Sequence, residues 1–96
     1  MRYLFLLNPT AGKRDCTAEL APAIQAAAQR AGIPPEKGKV IVTRYAGHAR
    51  ELAAEAAHTA QADDEPVRIW TAGGDGTFNE ALTGAQGCSL AAVGCL

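Results

Sequence analysis

The sequence predicts an α/β protein: a three-layer parallel sheet with helices on both faces. Three observations carry that prediction. Apolar runs of strand length alternate with longer stretches of helical periodicity. The strand-like runs are apolar nearly throughout, as in sheets covered on both sides. Glycine and proline gather between the runs, where the chain must turn.

Taken in order, residues 3–7 (Tyr-Leu-Phe-Leu-Leu) form the first strand. Residues 17–31 form an alanine-rich helix with Leu20, Ile24, Ala27, Ala28 and Ala31 on one face. Pro22 falls inside that stretch and implies a first turn that is bent or starts late. Gly32 stops the helix, and Pro34 and Pro35 open a loop. Residues 39–43 form the second strand. Residues 48–59 form a second helix with Ala49, Leu52, Ala53 and Ala56 inward and Glu51 and Glu55 toward solvent. Residues 62–66 are a polar loop. Residues 68–72 form the third strand, in which Trp70 reads as core filler. A short helix over 78–83 and a fourth strand over 90–93 complete the series. In parallel sheets ligands lie at the carboxyl ends of strands. The segments after strands one, two and three therefore converge on one rim.

The segment after the third strand is the most chemically specific. It reads Gly73-Gly74-Asp75-Gly76-Thr77-Phe78-Asn79-Glu80. Three glycines allow a sharp turn and the close approach of a ligand to the backbone. Amides at the start of the following helix favour an anion, most often phosphate. Asp75 in the same turn would repel phosphate unless it held a cation or took a proton from a reacting hydroxyl. Together these features point to phosphoryl transfer. A dinucleotide fingerprint would need glycine at position 79, which is Asn79. A Walker-type loop ending at Gly12-Lys13 would need glycine at Leu7 and a hydroxyl at Arg14.

Gly-Gly-Asp-Gly-Thr-Phe-Asn-Glu closely resembles the nucleotide-binding signature of the diacylglycerol kinase catalytic domain family, which includes bacterial lipid kinases and the diacylglycerol, sphingosine and ceramide kinases. Asn8-Pro9-Thr10-Ala11-Gly12-Lys13 is similar to the family's N-terminal loop. Thr43 followed by Gly47-His48-Ala49 and Leu52-Ala53 is similar to its middle segment. The resemblance spans about residues 3–96 and implies a Rossmann-like nucleotide-binding domain of the NAD kinase and phosphofructokinase type. It implies ATP and Mg²⁺ as cofactors and a lipid alcohol as acceptor. It also implies that Asn8, Thr10, Gly12, Lys13, Thr43, Gly73, Gly74, Asp75, Gly76, Thr77 and Glu80 bind or order the nucleotide. Asp75 would be catalytic and the candidate metal ligand.

The residues have plainer readings beside these. Asn8 can form an Asx turn before Pro9. Lys13 can be a solvated loop charge, and Thr43 a strand residue of high β propensity. Thr77 and Glu80 have the spacing of a capping box. His48 opens a helix and suits packing or hydration better than catalysis. Competing functions are an NAD kinase-like or phosphofructokinase-like enzyme and a non-catalytic nucleotide-binding or dimerising module. Asn79-Glu80 and the N-terminal loop speak against the first of these.

Length and composition bound the rest. The 96 residues, 9.9 kDa in mass, suffice for one small domain. Relatives in the resemblance continue with a Pro-x-Gly-Thr-x-Asn-Asp segment and a β-rich second domain. The expectation is thus the N-terminal part of such a kinase, binding nucleotide weakly by itself and transferring nothing to lipid. Net charge is −1 and pI about 6.1, without a basic stripe, so nucleic acid is not an expected partner. No apolar run reaches the roughly 20 residues of a membrane span. The apolar N-terminus is too short, and broken too early by Asn8-Pro9, for a signal peptide. Cys16, Cys88 and Cys95 lack metal spacing and read as reduced thiols of a cytoplasmic protein. Peripheral membrane contact would fall to the second domain. The stretch from Leu90 to Leu96 carries an expectation of self-association, as a homodimer through the fourth strand or the face beside it.

Overall fold

The computed structural model describes residues 1–9 and 17–95. Its elements are β1 (Arg2–Leu7), α1 (Thr17–Arg30), a 3₁₀ turn (Pro35–Lys37), β2 (Gly38–Val42), α2 (His48–Asp63), β3 (Val67–Ala72), α3 (Asp75–Gly84) and β4 (Ala91–Cys95). All four strands run parallel in the order β2-β1-β3-β4. The expected three-layer α/β architecture is present.

Alternation along the strands divides the sheet into two faces. Leu4, Leu6, Val67 and Ile69 point to one face and join Ala49, Ala53, Ala57 and Ala60 of α2 and Ala81 and Ala85 of α3 in the buried core. Complete burial of large side chains such as Leu6 and Ile69 contributes about 1.5–3 kcal/mol each. On α2 the buried alanines fall at helical spacing and bring α3 close. A Cβ on Gly84 would collide with the Arg50 carbonyl oxygen and sit 3.0 Å from the Ala53 Cβ. Glycine at position 84 is therefore a packing requirement.

The other face is more loosely covered. Ile24 and Ala28 of α1 are half-buried and line a hollow with Phe5 and Val40, whereas Ala27 and Ala31 are exposed. The expected five-residue inward face of α1 is thus narrower than its periodicity implies, because alanine offers little area to bury. The side chain of Leu20 lies outside the described set. The helix runs through Pro22 without a break, so the proline does not delay its start. Trp70 lies on this face and is half-buried, with its ring against Gly94 of β4. One further boundary differs from expectation. Helix α2 continues to Asp63, where Asp64 in the left-handed region (φ 51°) ends it, so the first two residues of the expected polar loop, Ala62 and Asp63, are helical. Strands β2 and β4 are the edges of the described sheet.

Strand order decides where a site can form. From β1 the chain moves outward to β2, then returns across β1 to β3. Right-handed crossovers put the first connection on one face and the later ones on the other. The connections leaving β1 and β3 therefore diverge, and the crevice between their carboxyl ends is the switch point where such sheets bind ligands.

Candidate functional site

Three strand ends meet at one level of this rim. Leu7 is in register with Val42 on one side and with Ala72 on the other. The residues that follow, Asn8, Thr43 and Gly73, are the positions singled out in sequence. The Asn8 N–H donates to the Ala72 carbonyl at 2.9 Å and extends the β1–β3 ladder by one bond. Thr43 is buried, and its N–H and hydroxyl both donate to the Leu7 carbonyl, at 2.8 and 3.3 Å. Its hydroxyl proton is thereby occupied, while its oxygen can still accept.

Past β3 the chain turns through Gly73 (φ 150°) and Gly74 (φ 86°, ψ −174°). That second conformation is essentially closed to residues with a Cβ. It lets α3 begin at Asp75, three residues before the start expected at Phe78. One consequence is a correction. The helix N-cap is Gly74, with no side-chain cap bond, and Thr77 is the third helical residue. Thr77 and Glu80 therefore form no capping box, which requires the threonine at the N-cap. Glu80 lies a turn further along α3, half-buried.

The early start places Asp75, Gly76 and Thr77 in the first helical turn. Their amides have no carbonyl partner among the described residues. The next amide, of Phe78, is the first to close a turn, on the Gly74 carbonyl at 3.2 Å. Gly76 has open space where a Cβ would stand and no left-handed φ. Nothing in the fold demands glycine there, and its bare backbone leaves room for a ligand. Asp75 is exposed, at the positive end of the α3 dipole. Its carboxylate has no hydrogen bond or ion pair with the described residues.

The two loops are joined by side chains. The Asn8 Nδ2 donates to the Thr77 Oγ1 at 3.1 Å, and that hydroxyl donates to the Gly73 carbonyl at 3.3 Å. Sequence reading missed this link, because 69 residues separate its ends. It also missed Tyr45. The exposed ring of Tyr45 stacks on His48 (centroids 4.5 Å, planes 16° apart), and its hydroxyl donates to Glu51. The Glu51 carboxylate raises the Tyr45 pKa by holding the phenolic proton. The Nδ1 of His48 accepts the Arg44 N–H at 2.9 Å, so His48 shapes the turn into α2. Thr10, Gly12 and Lys13 lie outside the described residues, as does Cys16.

The largest charged cluster stands at the opposite end of the sheet. Glu65 accepts from Lys37 (2.7 and 2.9 Å), from Arg2 (2.9 Å) and from the Met1 ammonium (3.2 Å), and Arg2 also reaches Asp63 at 2.6 Å. A concavity of about 340 Å³ opens beside it, lined by Arg2, Lys37, Lys39 and the apolar Ile41, Leu52 and Val67. Two of its three cations are already paired with carboxylates, so it offers an anion less than its composition suggests.

A switch-point crevice, unpaired helix amides and an exposed carboxylate are the parts from which α/β proteins build phosphate-handling sites. The chain matches the diacylglycerol kinase catalytic domain over residues 2–96 and belongs to that family. That family is one of lipid and small-molecule kinases. No curated protein matches it. No described helix is long and apolar enough to cross a membrane.

Proposed function

We propose that the chain is the ATP-binding N-terminal part of a diacylglycerol kinase-like enzyme, which moves the γ-phosphoryl group of ATP to a lipid hydroxyl. The observation that carries this reading is the start of α3. Amides without carbonyl partners among the described residues and one exposed carboxylate stand together at the switch point of a chain from this kinase family.

In this reading the amides of Gly74, Asp75, Gly76 and Thr77 receive the phosphates. The nucleoside lies across the rim toward Asn8 and Thr43. Adjacent strands are about 4.8 Å apart, so β3 and β2 are separated by about 10 Å, a span that a nucleotide can bridge. The acceptor hydroxyl attacks the γ-phosphorus, its proton leaves to a base, and ADP departs with the bridging oxygen. Asp75, exposed at the start of α3, would take that proton or hold a cation.

The described residues contain no cluster of three or more metal-ligating side chains. Magnesium is commonly held by one or two carboxylates together with substrate phosphates, and Asp75 fits that pattern. Bound there, the ion would neutralise charge on the transferring phosphoryl group. Positioning and charge neutralisation are most of what this chemistry asks of a protein.

The test has two arms. Calorimetric titration of the chain with Mg²⁺-ATP reads the binding half, and failure to bind overturns it. Transfer of labelled γ-phosphate to diacylglycerol vesicles by the natural full-length protein reads the chemical half. Transfer to a soluble alcohol but never to lipid would overturn the lipid assignment.

A further inference from the structure

We propose that Asn8 and Thr77 form a latch across the switch-point crevice and act as positioning residues that aim the α3 amides at the phosphates. The inference rests on the nucleotide reading above and assigns to these two side chains a role distinct from touching the ligand.

Donor and acceptor accounting leads to it. Asn8 grips the β3–α3 connection twice, through its N–H on the Ala72 carbonyl and its Nδ2 on the Thr77 hydroxyl. The hydroxyl has one proton, and it goes to the Gly73 carbonyl four residues back. Gly73 precedes the N-cap, so its carbonyl lies outside the helix, and the hydroxyl satisfies it. The Thr77 N–H, at the third helical position, has no carbonyl partner among the described residues. The latch thus satisfies the carbonyl of the strained turn while leaving the amide for a ligand. Thr77 is 4% exposed, so water competes poorly for its hydroxyl.

Topology adds the second half. The connection after β1 leads to α1 on one face, and the connection after β3 leads to α3 on the other. Few contacts can span two segments that diverge in this way, and the Asn8 side chain does so. A chain of two hydrogen bonds polarised in one direction is also stiffer than either bond alone. Displacement of reacting groups by about 1 Å can cost on the order of 100-fold in rate, so a modest loosening here would be felt at the phosphates.

The experiment uses the chain with Thr77→Val, which keeps shape and removes the hydroxyl, and Thr77→Ser, which restores it. Asn8→Asp removes the donor. Mg²⁺-ATP affinity is measured by calorimetry, and exchange of the Asn8 side-chain amide protons by NMR. The latch predicts affinity about tenfold weaker or worse in Thr77→Val, rescue in Thr77→Ser, and a double variant no weaker than the worse single one. Wild-type affinity in Thr77→Val, or equal weakness in Val and Ser, overturns it. A wild-type chain that binds no ATP defeats the nucleotide reading instead. The latch is then judged by exchange: slow Asn8 protons that become fast in Thr77→Val support it, and protons unchanged by the substitution refute it.

Discussion

The two ends of this sheet solve opposite problems. At the amino end, charge is closed on itself. Met1, Arg2 and Lys37 surround Glu65, and Arg2 also reaches Asp63. At the carboxyl end, capacity is left open. The amides beginning α3 lack partners among the described residues, Asp75 is exposed, and the links that hold the loops are neutral hydrogen bonds. The difference separates groups that tie the chain together from groups kept available. The end with more charges has less to offer a ligand, because most of its cations are already engaged.

The strongest way to break that contrast is Asp75→Asn, assayed in the kinase proposed above. The exposed carboxylate has little structural task, so kcat should fall by about 10²–10³ while the melting temperature barely moves. Steady-state kinetics beside thermal unfolding checks it, and near-normal turnover would make Asp75 a turn residue only. Gly84→Ala probes the packing on which both ends are mounted. Its methyl meets α2 backbone, which cannot swing aside, so a loss of about 1–3 kcal/mol is expected in urea unfolding.

Gly76→Ala sharpens the comparison, since stability and binding should part company. An alanine there meets nothing in the fold and suits a helix better, so stability should hold or rise by up to about 1 kcal/mol. ATP affinity should nevertheless fall, because the methyl occupies the space beside the amides. Equal binding would show that the ligand does not approach this turn.

The smallest effect belongs to the amino end. Lys37 and the Met1 ammonium, by hydrogen bonding, hold Glu65 down at about 2 from a usual 4.5. A lowered carboxyl pKa stabilises the fold fully above its unfolded value and loses that stabilisation as pH falls through the folded one. Wild type should therefore melt slightly above Glu65→Gln at neutral pH. The gap should close between about pH 4.5 and 2 and narrow with added salt. Melting curves across that range check it, and a gap independent of pH would remove the ion cluster as its cause.

Much of this arrangement is legible along the chain. Strand runs, the glycine turn, and the three segments beside Asn8, Thr43 and Gly73 lie in local residue patterns. Their strand-end placement follows from alternating β and α units. The start of α3 is not legible locally, because the Thr77-x-x-Glu80 spacing imitates a cap whereas Gly74 already turns the chain. The inward face of α1 is narrower than its pattern implies, since periodicity records which residues line up and not how much area alanine can bury.

By itself the sequence determined the class of fold, the family and the common level of Asn8, Thr43 and Gly73 at the strand ends, because backbone propensity, apolar period and turn chemistry act over a few residues. Tertiary structure decided the strand order that opens the crevice between β1 and β3, the early start of α3, and the bond from Asn8 to Thr77. These depend on groups distant in the chain whose approach is set by packing and crossover handedness, and no local pattern encodes such a distance.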